Sequence, residues 1–585
     1  MGVHRTVYAG EIGEALAGRE VTVAGWVHRR RDHGGLIFID LRDRSGIVQV
    51  VVTPERAEAF AAAERLRLEY VVRVRGTVRL RPPGMANPDL STGTVEVEAA
   101  EIHVYAESRT PPFLPQESAE GVDELVRLRY RYIDLRRPEL QAHFRMRDHV
   151  IRAMRDFFAA EGFWEVETPA LARSTPEGAR DFLVPSRLQP GHFYALPQSP
   201  QIFKQLLMVA GFDRYYQIVK AFRDEDLRAD RQPEFTQLDV EMSFMSRDEI
   251  LELMERMIRT VFRTTLGTDP GPMPRMTYAE AMRLYGSDKP DLRAGPPLVD
   301  LTAASRELGW SLLREAPAVS GVRIPDWHPS RRELDAWVER ARALGLGGLV
   351  WILREGDGWR SSAGKWLGED GMATLGTVAG LRPGDGLLVA AGPEAEVLAA
   401  AGSLRVEAAQ ALGRLEEGWR FLWVTDFPMF EWSQEEQRLT AMHHPFTMPK
   451  EADWERLESD PLACRAEAYD VVLNGVELAS GSLRIYDPGL QRRIFAILGL
   501  GDQEIEEKFG FLVRAFQYGA PPHGGIAFGL DRLVMLMVGA RTIREVIAFP
   551  KTASGTDPLM EAPAPVDPRQ LRELGLTLIR DRGRA

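Results

Sequence analysis

Three stretches of this chain place charged and polar side chains where a folded core would not tolerate them. The first, Phe222-Arg-Asp-Glu-Asp-Leu-Arg-Ala-Asp-Arg-Gln-Pro-Glu-Phe-Thr-Gln-Leu-Asp-Val-Glu241, reads as strand, charged loop, strand. Side chains alternate along a strand, so Arg223 shares one face with Glu225, and Asp239 shares one with Glu241. A face lined with charges is costly to bury and suits a polar ligand, although a hairpin with a solvated outer face would show the same pattern. The second stretch is Val476-Glu-Leu-Ala-Ser-Gly-Ser-Leu-Arg-Ile485, with Asp470 upstream. Asp470 and Glu477 are oxygen ligands of the kind Mg²⁺ prefers, and Arg484 has the fork to grip a carboxylate bidentately. A structural salt bridge is the plainer alternative. In the third, Gly524-Gly-Ile-Ala-Phe-Gly-Leu-Asp-Arg-Leu-Val-Met-Leu536, small residues lead into a helix with Arg532 in its first turns, which would offer a cation and close backbone to an anion. No Walker loop, Rossmann glycine fingerprint or zincin pair occurs, so phosphates would be met by side chains on a sheet.

These stretches need elements to hold them. Residues 1–106 predict five strands, in Val21–Val27, Leu36–Leu41, Gly46–Val52, Val71–Arg79 and Thr94–Val104, with helical character at 55–68 between the third and fourth. That is the strand order of an oligonucleotide-binding barrel, and equally of a small barrel with no ligand. Glu107–Glu124 reads as a polar, Pro-containing linker, and 107–135 as a hinge. Arg136–Glu161 reads as an amphipathic helix ending at Gly162, after which a mixed domain begins at Phe163. From about 287 to 420 aromatics thin out, Ala, Gly and Leu dominate and catalytic residue types do not cluster, as in an inserted α/β domain. Strand character and dense polar groups return at Phe421. The Pro-rich chain after Lys551, 552–585, reads as an extended arm.

The 585 residues suit about four structural units at roughly 150 residues each. A hydrophobic fraction of 44% and a charged fraction of 27% exclude extensive disorder. The single cysteine, Cys464, excludes an intramolecular disulfide and a cysteine-based zinc site. With no run of 18 apolar residues and no apolar leader, the expectation is a cytoplasmic protein without a membrane partner. The net charge of −12 argues at first against nucleic acid. Residues 1–106, however, carry 14 basic and 14 acidic residues and are neutral, with Arg29, Arg30 and Arg31 consecutive.

The three polar stretches, in this order, resemble motifs two and three and the strand between them in class II aminoacyl-tRNA synthetases, with Glu165-Val-Glu-Thr-Pro169 as the dimer-forming first motif. The chain is most similar to the bacterial aspartyl-tRNA synthetase family, over essentially its whole length. Ser174-Thr-Pro-Glu-Gly-Ala-Arg-Asp-Phe182, Gln198-Ser-Pro-Gln-Ile-Phe-Lys-Gln205 and His443-His-Pro-Phe-Thr447 are the long, specific segments of that likeness. Ala479-Ser480, where many relatives have two glycines, departs from the pattern only slightly.

The resemblance implies an α+β multidomain chain. Its parts would be an N-terminal OB-fold anticodon-binding barrel (1–106), a hinge (107–135), an antiparallel-sheet catalytic domain (136–286 and 421–551) and an α/β insertion (287–420). It implies ATP-dependent activation of L-aspartate with Mg²⁺, transfer to tRNA, and a homodimer. By the same likeness Arg223, Arg532 and Glu477 are catalytic. Glu177, Ser199, Gln201, Lys204, Arg223, Asp239, His443 and Arg484 would bind aspartate. Arg223, Asp224, Glu225, Gln232, Phe235, Glu477, Gly529, Leu530, Asp531 and Arg532 would bind ATP, and Asp470 with Glu477 the metal. Arg31, Phe38 and Gln49 would meet the anticodon by stacking and base-edge contacts. His33, where relatives charging only their own tRNA often have Leu, points with Gly84 and Met85 to a relaxed enzyme that serves both tRNA(Asp) and tRNA(Asn). A strictly discriminating enzyme is the alternative. Asparaginyl- and lysyl-tRNA synthetases share barrel and motifs but not the Gln201, Lys204 and Arg484 set. An asparagine synthetase on the same catalytic fold would lack the barrel. A non-catalytic RNA-binding paralogue would be expected to have lost Arg223, Glu477 or Arg532.

Overall fold

A computed structural model describes residues 4–175 and 179–579. By packing, the chain divides into two units. One holds residues up to Asp148 together with 227–232 and 538–566; the other holds 149–226, 233–537 and the chain from 567.

In the first unit the strands Glu20–His33, Leu36–Asp43, Gly46–Val52, Val95–Ala106 and Val71–Leu80 close, in that order, into a barrel. Every second residue points inward, and Val23, Ile39, Val50, Val74 and Val97 form a dry core. The helix Ala57–Arg65 adds Ala59 and Ala63 to it. The first strand runs six residues beyond the apolar Val21–Val27 run. A register shift between Val27 and Arg29 bends it, and its polar end pairs with Leu36–Leu41. Gly34 and Gly35, at φ 61° and 79°, close that hairpin with the two left-handed residues a tight turn requires.

The hinge is more structured than its composition suggests. Asp123 caps a short helix, Glu124–Arg129, which is followed by Arg131–Asp134 and the long helix Pro138–Ala160. The C-terminal chain likewise is not an extended arm throughout. Thr552 bonds Ser554 and Thr556, Asp557 bridges to Ala562, and Asp567 caps the helix Pro568–Glu573. Side-chain oxygens supply the local partners that proline count alone hides.

The second unit is built on an eight-stranded sheet in the order Arg275–Thr277, Phe421–Thr425, Ala468–Leu473, Val476–Leu483, His523–Gly529, Glu234–Ser243, Arg214–Phe222, Trp164–Glu165. The six inner strands are antiparallel, and a parallel strand is added at each edge. A second sheet of five strands, from Val299–Asp300 to Gly386–Gly392, lies between two apolar clusters that hold its helices. No helix among the described residues is long and apolar enough to cross a membrane.

Candidate active site

The register of the large sheet explains which side chains meet. Asp470 pairs with Ser480, Ser480 with Ala527, Ala527 with Asp239, and Asp239 with Gln217. The neighbouring row on the same face runs Ala468, Ser482, Gly525, Glu241, Tyr215. Small residues therefore floor the middle of the face, with carboxylates on either side. This also gives Ser480 a place: it is half-buried in the floor, where a larger residue would fill the site.

Strict alternation from Ser480 and Ser482 would turn Glu477 away from this face. A bulge between Val471 and Val472 sets Ala479 opposite Val471 and Glu477 opposite Val472, so the alternation is reset. Glu477 is thereby brought within electrostatic reach of Asp470, His443 and Arg532. Burial pushes the Glu477 carboxyl above the usual range, and the Asp470 charge adds to the push. His443 Nε2 lies 3.3 Å from Asp470 Oδ1; burial lowers this imidazole, but the carboxylate outweighs it and raises the pKa. Two crowded carboxylates, one held toward neutrality, are a setting that a divalent cation relieves. The described residues contain no group of three or more His, Cys, Asp or Glu suited to a metal. A cation on this pair would complete its shell with water and substrate phosphate, as Mg²⁺ commonly does.

The other end of the face holds four buried charges. Lys204 Nζ, from the helix Gln201–Val209, is 2.9 Å from Asp239 Oδ1 and 3.3 Å from Glu241 Oε2. Arg484 grips Glu241 through Nε at 2.9 Å and Nη2 at 3.1 Å. Its Nη1 donates to Ser482 Oγ and lies against His444 Nε2, both at 2.6 Å. Lys204, Asp239, Glu241 and Arg484 are each at most 2% exposed. Two cations match two anions, and His444 is kept neutral because burial and Arg484 hold its pKa well below the ordinary value. Burial raises Asp239, while Arg484 and Lys204 overcome burial to hold Glu241 low.

The geometry corrects the expectation of a bidentate grip on a ligand by Arg484, because its fork is already closed on Glu241. Four of its five N–H groups are engaged, so Arg484 offers a ligand carboxylate one donor and Lys204 supplies the next. His444 and Ser482 were not among the sequence candidates, and Glu241, placed on the charged face with Asp239, carried no assigned role. Their signals were position: Glu241 two residues after Asp239, Ser482 two before Arg484, His444 beside His443.

Around this centre, Ser199 is half-buried and its hydroxyl accepts from the Gln201 amide at 3.3 Å. Gln201 bonds Gln205, whose amide lies 3.3 Å from His523 Nε2. The Arg223 guanidinium sits 5.2 Å from the centroid of the Phe235 ring. Arg532 Nη1 donates to the Glu477 carbonyl at 3.0 Å, and Glu225 is half-buried beyond Arg223. Glu177 lies outside the described residues.

Four nucleotide candidates are buried or otherwise engaged. The Asp531 carboxylate is buried and accepts from the Thr236 amide at 2.7 Å, which pins the helix Leu530–Met537 to the neighbouring strand. Leu530 is fully buried, so only its backbone is available, as at Gly529. Asp224 is exposed and pairs through its backbone with Arg180. In the first unit, the Gln232 carboxamide clamps the backbone of Lys551, accepting from its N–H at 2.7 Å and donating to its C=O at 3.0 Å.

On the barrel, Phe38 lies half-buried on the outer face directly opposite Arg31 and Val51. Arg31 donates to Asp40 and Gln49, Gln49 to Glu96, and Arg79 to Glu96. Paired charges thus surround an aromatic platform, which reconciles a neutral domain with a local polar face. If this ring stacks a base of tRNA, as the resemblance implies, Phe38→Ala is expected to raise KM for tRNA roughly tenfold, about the lower end of a stacking contribution. Pyrophosphate exchange, which needs no tRNA, should stay unchanged; equal losses in both assays would put Phe38 in the fold instead. His33 and Met85 are exposed, the latter in a loop where Gly84 adopts φ 81°.

The chain thus carries a closed five-stranded barrel and, in its second unit, a mostly antiparallel sheet with buried carboxylates and cations. Residues 123–553 match the family described as tRNA synthetases class II (D, K and N), and residues 21–108 match the OB-fold nucleic acid binding domain. The chain belongs to the class II tRNA synthetases of this D, K and N group. It is 55% identical to an aspartate--tRNA(Asp/Asn) ligase of Moorella thermoacetica, over 98% of this chain and 97% of that one. It is 50% identical to an aspartate--tRNA ligase of Geobacillus kaustophilus, over 99% of each. Among solved structures, asparaginyl-tRNA synthetase from Pyrococcus horikoshii complexed with asparaginyl-adenylate matches with a TM-score of 0.59 at 20% identity, covering 94% of this chain and 99% of that one. A putative aspartyl-tRNA synthetase from Leishmania major matches at 0.58 and 22%, covering 94% of each. These structural likenesses establish the fold.

Proposed function

We propose that the chain ligates L-aspartate to tRNA through aspartyl-adenylate, on both tRNA(Asp) and tRNA(Asn), with ATP and Mg²⁺. The observation that carries this reading is the buried Lys204–Asp239–Glu241–Arg484 cluster, which matches a small zwitterion bearing a second carboxylate. Lys204 and the remaining Arg484 donor take the side-chain carboxylate, and Asp239 with Ser199 and Gln201 takes the ammonium group. By the resemblance His443 would also serve this pocket, as would Glu177, which lies outside the described residues. The α-carboxylate then points outward, toward the nucleotide.

In the first step an α-carboxylate oxygen attacks the α-phosphorus, and the bond to the bridging oxygen breaks to release pyrophosphate. Arg223 stabilises charge developing on the α-phosphoryl oxygens, Phe235 and Arg532 flank the adenine, and Arg532 reaches the γ-phosphate end. Glu225 and Asp224 border the nucleotide, with Gly529 and Leu530 contributing backbone. Asp470 and Glu477 would hold Mg²⁺, and a cation bound there would supply positive charge beside the phosphates. In the second step a hydroxyl of the 3′-terminal adenosine attacks the activated carbonyl and AMP leaves. No protein nucleophile is needed; the residues position reactants and stabilise charge.

The homodimer read from the first motif is supported by Trp164, 62% exposed on the edge strand of the large sheet. A cytoplasmic setting accords with tRNA as substrate. For the tRNA range, support comes from His33, exposed at the tip of the Gly34-Gly35 hairpin, and from relatives that carry the Asp/Asn name. The alternative, charging of tRNA(Asp) alone, is favoured by the name of the Geobacillus relative. The deciding experiment charges purified transcripts with labelled aspartate, ATP and Mg²⁺. Comparable charging of both tRNAs is expected; charging of tRNA(Asp) alone would retain the activity and overturn the reading of His33.

A further inference from the structure

The first unit contains a buried ionic network that the reaction scheme does not use. Asp134, fully buried, accepts from three arginines: Arg127 at 3.2 Å, Arg131 at 2.7 Å and Arg137 at 2.7 Å. Arg131 is only 2% exposed. Besides Asp134, it donates from Nε to Ala548 O at 2.9 Å, and from Nη2 to Arg544 O at 2.7 Å and Ile547 O at 3.0 Å. Burying a guanidinium is expensive, and satisfying one stretch of backbone carbonyls with a hinge side chain is a specific use of that cost.

The segment that Arg131 holds is itself stitched to the loop 227–232. Ala229 O accepts from Thr542 Oγ1 at 2.9 Å and from the Ile543 amide at 3.1 Å, and Gln232 clamps Lys551 through two bonds. That loop links Asp226 to Pro233, and Pro233 O accepts from the Arg223 amide at 2.9 Å. On its other side the hinge is tied to the barrel. Glu69, 2% exposed, accepts both Arg42 and Arg136, and Arg42 shares a strand face with Phe38 and Asp40.

We propose that Arg131 is a positioning residue for the loop 227–232, holding it through the 542–551 segment from a hinge anchored on the barrel. The assignment of that loop to nucleotide and tRNA chemistry rests on the function proposed above. The mechanical link does not, because it consists of bonds in one unit.

Arg131→Lys tests the proposal: the charge beside Asp134 is kept, but one ammonium cannot reach three carbonyls. Hydrogen exchange in the full-length enzyme is expected to be about tenfold faster in peptides covering 227–232 and at the Ile543 and Lys551 amides. Aminoacylation kcat should fall roughly tenfold while KM for tRNA changes less than about twofold, within the range seen along coupled networks. Thr542→Val, which removes the exposed bond to Ala229 and the cap on the Arg544 amide, should produce the same split at smaller amplitude and guards against misfolding of the first variant. Unchanged exchange in 227–232 in both variants would overturn the proposal, as would a loss confined to KM. If the wild type fails to charge aspartate, the functional reading falls while the exchange result still decides the link.

Discussion

Arg484→Ala is expected to end aspartate-dependent pyrophosphate exchange, with a fall of about 10²- to 10⁴-fold in kcat/KM. Removing one partner of a buried pair costs roughly 3–5 kcal/mol because the other charge is left uncompensated, and each 1.36 kcal/mol is tenfold. The loss here has two parts. The substrate side chain loses a donor, and Glu241 loses both bonds that hold it at 2.9 and 3.1 Å. Lys204 would then face two carboxylates, and its ammonium would be drawn further toward Glu241 and away from the ligand. Arg484→Lys separates the parts: it restores a charge near Glu241 but cannot hold Glu241, Ser482 and the ligand together, so activity should remain well below wild type. Near-normal adenylate formation by Arg484→Ala would remove the basis for aspartate as substrate.

The same geometry bears on the choice between aspartate and asparagine, which shape does not separate. The four buried charges balance before any ligand arrives, and His444 adds none because its pKa is held low. In the proposed pocket an aspartate would bring one extra anion to Lys204 and Arg484 and one cation to Asp239. Asparagine instead presents NH₂ to groups that only donate, leaving buried donors unpaired. Sites built to pair a polar group reject its mispaired analogue by roughly 10⁴. On that proposal discrimination would depend on Arg484 being held still, and Glu241, Ser482 and His444 are the residues that hold it.

What could be read in the sequence was what depends on local period. Asp239 with Glu241, and Phe38 with Asp40, share faces because strands alternate, and the barrel followed from five β-branched runs with a helix between the third and fourth. Motif likeness supplied Lys204 and Arg484, which lie 280 residues apart and are brought together on Glu241. The hidden features were those that need a partner from elsewhere. The bulge at Val471–Val472 cannot be seen in the 476–483 run itself, yet it turns Glu477 to the site. Asp531 and Gln232 look like ligand groups in one dimension, and their bonds to Thr236 and Lys551 come from distant segments. The hinge was read as linker because its order comes from buried arginine–carboxylate pairs, not from an apolar stripe.

Gly525→Ala should be nearly as damaging as losing the charge itself, although Gly525 touches no proposed substrate. A Cβ there would lie 1.9 Å from Glu241 Oε2 and 2.2 Å from Val240 O. The backbone of a central strand, paired on both sides, cannot move aside, so the Glu241 carboxylate must leave its place. Arg484 then loses its fork partner and turns, and aspartate activation is expected to fall about 10²-fold or more, with roughly 1–3 kcal/mol of stability lost to overpacking. Pyrophosphate exchange and urea unfolding of the same preparation measure the two effects. Because the nearest overlap is with that carboxylate, combining Gly525→Ala with Glu241→Gln should lower activity by clearly less than the product of the two single losses. Additive losses would mean that Gly525 serves the site by another route, and an active Gly525→Ala enzyme would mean that Arg484 does not need Glu241 where it stands.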